Sequence, residues 1–169
     1  MEGKGRIGIY FIDLKQDDPK KATMKRLKRF NLAEKVPRSR IQRGLLLNPF
    51  ADIYVTARDS KIITGGGLTV IEGSWNRADS LKKIMSGNAR KLPPLVPVNP
   101  VNYGKVGLLS SVEAVAAALY LTGFRDLSEL ILGKFSWGIN FITVNREPLC
   151  EYSSCYDQDC ITEKIKLFY

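Results

Sequence analysis

Two stretches carry residue types whose order suits ligand chemistry. Trp75 follows the apolar run Leu68-Thr69-Val70-Ile71 through Glu72-Gly73-Ser74 and stands at the head of a helix. The carboxyl end of a strand is where α/β proteins stack a ligand's flat ring or shield a reactive group; a core tryptophan is the alternative. Asn99-Pro100-Val101-Asn102-Tyr103-Gly104 precedes the capping box Ser110-Ser111-Val112-Glu113. Such a loop can present backbone amides and carbonyls to a polar ligand, and the helix's amino end attracts an anion such as a carboxylate. None of the 169 residues is histidine, which removes catalytic triads, metalloprotease centres and mixed Cys/His zinc sites, since each needs an imidazole. Chemistry falls to carboxylates, the backbone or a cofactor.

Other motifs fail their context. Gly3-Lys4-Gly5-Arg6-Ile7-Gly8 matches a dinucleotide fingerprint by letter but precedes the first strand instead of following one. Gly65-Gly66-Gly67 lacks the Lys-Ser/Thr ending of a phosphate loop and reads as a tight turn. Cys150, Cys155 and Cys160, odd in number and without a C-x2-C pair, read as ordinary thiols, not as a disulfide framework or a zinc ribbon.

Charge is concentrated. Residues 15–43 hold 11 basic groups and three acidic ones, a local +8 of the chain's net +9, whereas residues 92–169 are net −2. No acid interrupts residues 19–30, so the run differs from a solvated helix face with paired charges. It favours a nucleic-acid partner over a merely soluble surface. Met24, Leu27 and Phe30 are too few for membrane insertion. No apolar stretch approaches the roughly 18 to 20 residues of a bilayer span, and no signal peptide is evident in residues 1–15. A cytoplasmic protein is expected.

The elements that must position these residues follow from periodicity. Apolar runs at residues 7–12, 44–47 and 68–71 read as buried strands. Asp18-Pro19 starts one helix, and Ser74 caps another reaching about Met85. This alternation predicts an α/β layer with a largely parallel sheet. Lys91-Leu92-Pro93-Pro94 opens a Pro-rich edge strand or extended connection, after which the capped helix 112–121, ending at Gly123, begins a helical carboxyl half. Two units are expected: 1–91, an α/β part binding nucleic acid and one side of a small ligand, and 92–169, a mainly helical part completing that ligand's site.

Five segments in order resemble one family, the small-subunit rRNA aminocarboxypropyltransferases of archaea and eukaryotes. They are Asp18-Pro19-Lys20-Lys21-Ala22-Thr23, Leu47-Asn48-Pro49, Leu68-Thr69-Val70-Ile71-Glu72-Gly73-Ser74-Trp75, Arg90-Lys91-Leu92-Pro93, and Asn99 to Lys105 running into Ser110-Ser111-Val112-Glu113-Ala114. The resemblance implies a SPOUT-like α/β fold, a parallel sheet with a deep trefoil knot followed by a helical domain. It also implies transfer of the 3-amino-3-carboxypropyl group of S-adenosylmethionine to a methylated pseudouridine of small-subunit rRNA, releasing methylthioadenosine. By family pattern, Thr23 and the amide of Ser111 bind the carboxylate of the transferred group. Ile71 holds the ribose hydroxyls, Leu92 and Gly107 offer backbone groups to adenine, and Leu47, Pro49, Trp75, Leu109 and Ala114 pack on its ring. Trp75 and Ala78 enclose the methyl group.

The sulfonium activates three carbons, so the outcome depends on which one the bound geometry presents, and no metal is required because the neutral thioether is already a good leaving group. A carboxylate base would assist the weakly acidic imide nitrogen. Glu72 is the candidate, with a capping or surface carboxylate as its alternative. Lys20, Lys21, Lys25 and Arg26 would hold rRNA phosphates. Departures from the family pattern are Ala22 for Cys, Met24 for Gly, Glu72-Gly73 for Asp-Cys, Val106 for Pro and Gly107 for a larger residue. The expected partner is small-subunit rRNA or a pre-ribosomal particle, engaged by a monomer. A SPOUT-type RNA methyltransferase and a non-catalytic RNA-binding ribosome assembly factor are the competing functions.

Overall fold

Side chains on either side of residue 91 share one apolar core, which runs from Ile9 and Phe11 through Leu68 and Val115 to Ile161. The computed structural model describes residues 5–14, 22–73 and 78–169. In chain order the elements are β1 (Ile9–Asp13), α1 (Thr23–Arg29), β2 (Glu34–Lys35), β3 (Leu45–Leu47), α2 (Ser60–Gly66), β4 (Leu68–Glu72), α3 (Ala78–Lys82), β5 (Ala89–Arg90), α4 (Ser111–Leu121), α5 (Arg125–Leu132), α6 (Ile139–Val144), α7 (Arg146–Ser153) and α8 (Gln158–Ile165).

Among the described residues the five strands form one parallel sheet in the order β2-β1-β4-β3-β5. The register sets Ile9 opposite Leu68 and Asp13 opposite Glu72. Strand periodicity divides the apolar side chains between two faces. Ile9, Phe11, Leu45, Leu47, Leu68 and Val70 meet α4, whereas Ile12, Leu46 and Ile71 meet Leu81, Ile84 and Ala89 on the other side. Helix α4 carries Val115, Ala116, Ala117, Ala118 and Leu119, all fully buried. That is how a helix apolar all round packs.

Several expectations change on folding. Of the two forms expected of the Pro-rich stretch, the extended connection is the one observed, and residues 92–110 include no strand. Gly65 and Gly66 belong to the last turn of α2, not to a turn alone, and the reason is a close approach. A Cβ on Gly66 would lie 2.3 Å from the Gly44 nitrogen, so helix end and strand entry meet backbone to backbone. Cys155 and Cys160 are disulfide-bonded, correcting their reading as free thiols; Cys150 is exposed and free. The turn between α7 and α8 brings the pair to a Cα separation of 5.4 Å, which their spacing in sequence could not reveal. The helix starts expected at Asp18-Pro19 and Ser74 lie outside the described residues; α3 ends at Lys82, short of Met85. Among the described residues no helix is long and apolar enough to cross a membrane.

Candidate active site

Strand order locates the site. From β1 the chain turns towards β2 on one side, and from β4 it turns towards β5 on the other, so the connections diverge at the carboxyl ends of β1 and β4. Open parallel sheets bind ligands at such a divergence. A cavity of about 730 Å³ lies there, lined by strand-end residues Leu47, Asn48, Pro49, Ile71, Glu72, Gly73, Arg90 and Leu92. Its other walls are Thr23, the 99–109 loop, and Ser110, Ser111 and Ala114 of α4. The volume is that of a small-molecule site, with walls of mixed aliphatic and polar character.

One end of the cavity is an anion seat. Ser110 caps α4: its hydroxyl accepts from the Glu113 amide (3.3 Å) and donates to the Glu113 carboxylate (2.8 Å). Val112 N–H donates to Thr23 Oγ1 at 3.1 Å. Among the described residues the Ser111 amide has no protein partner. A helix amino end with one amide unspent and a hydroxyl beside it suits a carboxylate. Glu72, buried where β4 ends, accepts from the Met24 amide at 2.9 Å, and the Thr23 hydroxyl lies 3.5 Å from the same oxygen. The carboxylate thus caps the first turn of α1 and holds Thr23 against α4.

The loop wall is fixed by buried side chains. Glu113, fully buried, accepts five hydrogen bonds, from the amides of Val98 (2.7 Å), Asn99 (3.0 Å) and Ser110 (2.8 Å), from Asn99 Nδ2 (2.7 Å) and from Ser110 Oγ (2.8 Å). Asn145 clasps Val96 through both its amide and its carbonyl, at 2.8 Å each. The Tyr152 hydroxyl donates to the Pro94 carbonyl at 3.1 Å. Burial lifts this phenol well above the ordinary tyrosine range, with the Tyr169 and Tyr54 hydroxyls adding to it, so it stays a donor. Asn48, at the end of β3, binds the carbonyls of Leu81 (2.8 Å) and Ile84 (2.7 Å), and Gln158 of α8 bonds both backbone groups of Tyr54.

The structure brings together Thr23, Leu47, Pro49, Ile71, Leu92, Gly107, Leu109, Ser111 and Ala114 on one cavity, with Glu72 among them. Trp75 and the side chain of Ala78 lie outside the described residues, as do Lys20 and Lys21. Lys25 pairs with Asp13 at 3.2 Å. Arg26 lies over the Phe135 ring (5.3 Å) and donates to the Lys134 carbonyl (3.0 Å), joining α1 to the helical half. Sequence reading missed the roles of Asn145 and Gln158, whose partners lie 49 and 104 residues away, and saw Glu113 only as a cap. A polar residue breaking the apolar spacing between α6 and α7 is the one local signal at Asn145.

The chain is similar to proteins of known name. Residues 45–169 match the family model described as ribosome biogenesis protein, C-terminal. The 16S rRNA aminocarboxypropyltransferase of Thermoplasma volcanium is 53% identical over 147 residues, spanning 87% of this chain and 90% of that protein. The enzyme of the same name from Methanocaldococcus jannaschii is 38% identical over 153 residues, spanning 86% and 87%. The solved structure of the SAM-dependent rRNA:acp-transferase Tsr3 from Vulcanisaeta distributa aligns with a TM-score of 0.82 at 34% identity, covering 96% of this chain and 98% of that one.

Proposed function

The chain belongs to the 16S rRNA aminocarboxypropyltransferase family, and on that premise we propose that it modifies a methylated pseudouridine of small-subunit rRNA, releasing methylthioadenosine. It is an S-adenosylmethionine-dependent rRNA aminocarboxypropyltransferase. The observation that carries the cofactor part of this reading is the unspent Ser111 amide beside Thr23 at one end of the cavity of about 730 Å³. These residues fit the cofactor: a carboxylate seat at one end, and aliphatic Leu47, Pro49, Leu109 and Ala114 against which a flat base can pack.

When bound, S-adenosylmethionine supplies an activated γ-carbon and a good thioether leaving group. Thr23 and Ser111 grip the carboxylate, fixing that carbon relative to the RNA. Ile71 orients the ribose, Leu92 and Gly107 read adenine through their backbone, and Trp75 with Ala78 shields the methyl group. Orientation, not added electrophilicity, selects the product. Exposed Lys28 and Arg29 add to Lys20, Lys21, Lys25 and Arg26 as basic groups for rRNA phosphates. The same reading includes a trefoil knot, a monomer, a pre-ribosomal partner and a cytoplasmic location; insertion of β4 between β1 and β3 supports the SPOUT-like topology.

Glu72 has two readings, general base and positioning group, and its bond from the Met24 amide favours the second. Glu72→Gln keeps an acceptor oxygen and should retain turnover; a loss above about tenfold with intact cofactor affinity restores the base. The deciding experiment supplies cofactor labelled separately in its methyl and its carboxyl carbon to 16S rRNA. Carboxyl label alone should enter the RNA. Methyl label alone would establish the methyltransferase, and binding without either label the assembly factor.

A further inference from the structure

Tyr103 is the most exposed large apolar side chain among the described residues, at 71%. A lone exposed tyrosine on a mobile turn would mean little. This turn is held on both sides. Asn99 Oδ1 accepts from the amides of Val101 (3.2 Å) and Asn102 (3.0 Å), and Asn99 is itself bound by the buried Glu113. Gly104 N–H donates to the Pro97 carbonyl and Lys105 N–H to that of Asn102, both at 3.0 Å. The turn closes through Gly104 at φ +76, a conformation that disfavours other residues.

The position matters as much as the rigidity. Val101 and Asn102 on one side of Tyr103 and Val106 and Gly107 on the other line the cavity, whereas Tyr103 does not. The ring therefore belongs to the rim, and Lys105 beside it is exposed. A nucleotide whose imide nitrogen is to be modified must be unpaired and drawn out of its stack to reach the cavity, which deprives each neighbour of one stacking partner. An aromatic ring held at the entrance replaces that stacking with little loss of side-chain freedom.

We propose that Tyr103 is a stacking platform for a nucleobase of the RNA substrate next to the modified nucleotide. It is a positioning residue, and the inference rests on the transferase reading above. Lys105 supplies a phosphate contact at the same rim. Because the contact is to a π face, the platform tolerates different bases and sets where the RNA lies, not which base is chosen.

The test uses the full chain, carboxyl-labelled cofactor and 16S rRNA transcribed with uridine or with N1-methylpseudouridine. Tyr103→Ala should raise KM for RNA about tenfold or more, with kcat at saturating RNA within about twofold and unchanged affinity for cofactor alone. Tyr103→Phe and Tyr103→Trp should restore the wild-type KM, since the ring and not the hydroxyl acts. An unchanged KM in Tyr103→Ala, or equal damage in Tyr103→Phe, overturns the proposal while wild-type transfer keeps the functional reading intact. A wild-type protein that transfers no carboxyl label to either RNA overturns both.

Discussion

The two main walls of the cavity are rigid for different reasons. The wall made by residues 47–49, 71–73 and 90–92 consists of strand ends, where backbone groups satisfy one another along the sheet. The opposite wall, residues 94–109, has no helix or strand; a few turn bonds such as Gly104 N–H to Pro97 close it on itself, and buried side chains, chiefly Glu113 and Asn145, fasten it to the core. A ladder spreads its hydrogen bonds over many residues, so no side chain is indispensable to it. A loop fastened by single buried groups concentrates the same task in a few atoms, whose loss leaves several buried donors unpaired.

The difference can be broken most sharply at Glu113. Glu113→Ala should destabilise the chain by about 3 kcal/mol or more and abolish cofactor affinity, read as a lower urea midpoint and a lost binding isotherm. Glu113→Gln, which turns one acceptor into a donor facing donors, should fall between alanine and wild type. Next in size, Asn145→Ala should cost about 2 kcal/mol by urea unfolding, because Val96 loses both of its partners. On the strand wall, Ile71→Val should cost only about 1 kcal/mol, with cofactor affinity within about twofold, because the ladder and not the side chain fixes the backbone at the end of β4. An affinity loss as large as that of Glu113→Ala would erase the contrast between the walls.

The smallest effect at neutral pH is expected from Tyr152→Phe, about 1 kcal/mol for the lost bond to Pro94. Its signature lies at alkaline pH. Burial raises the folded-state pKa of Tyr152, so its stabilisation is complete below about pH 10, where the unfolded phenol is still protonated, and declines as pH rises beyond that. The phenylalanine variant should therefore lose less stability between pH 10 and 11 than the wild type. Parallel slopes would remove Tyr152 from the loop wall's fastening.

Much of the site was legible locally. The apolar runs become β1, β3 and β4, and Ser110 with Glu113 forms the capping box that opens α4. Both signals are short-range: strand burial shows as consecutive apolar residues, and a cap needs partners only three residues apart. Family resemblance added nine residues that the structure gathers on one cavity. β2 and β5, two residues each and partly polar, carry no such signal and exist because a neighbouring strand offers a free edge.

What the sequence by itself determined is therefore the set of local elements, the basic amino-terminal half and the helix end that can hold a carboxylate. Tertiary structure alone decided that β4 enters between β1 and β3, that Glu113 reaches back to Val98 and Asn99, that Asn145 and Gln158 clasp segments 49 and 104 residues away, and that Cys155 meets Cys160. The reason is physical: periodicity and capping are written in neighbours along the chain, whereas a buried polar group's partner is whichever backbone the packed core brings within hydrogen-bonding distance.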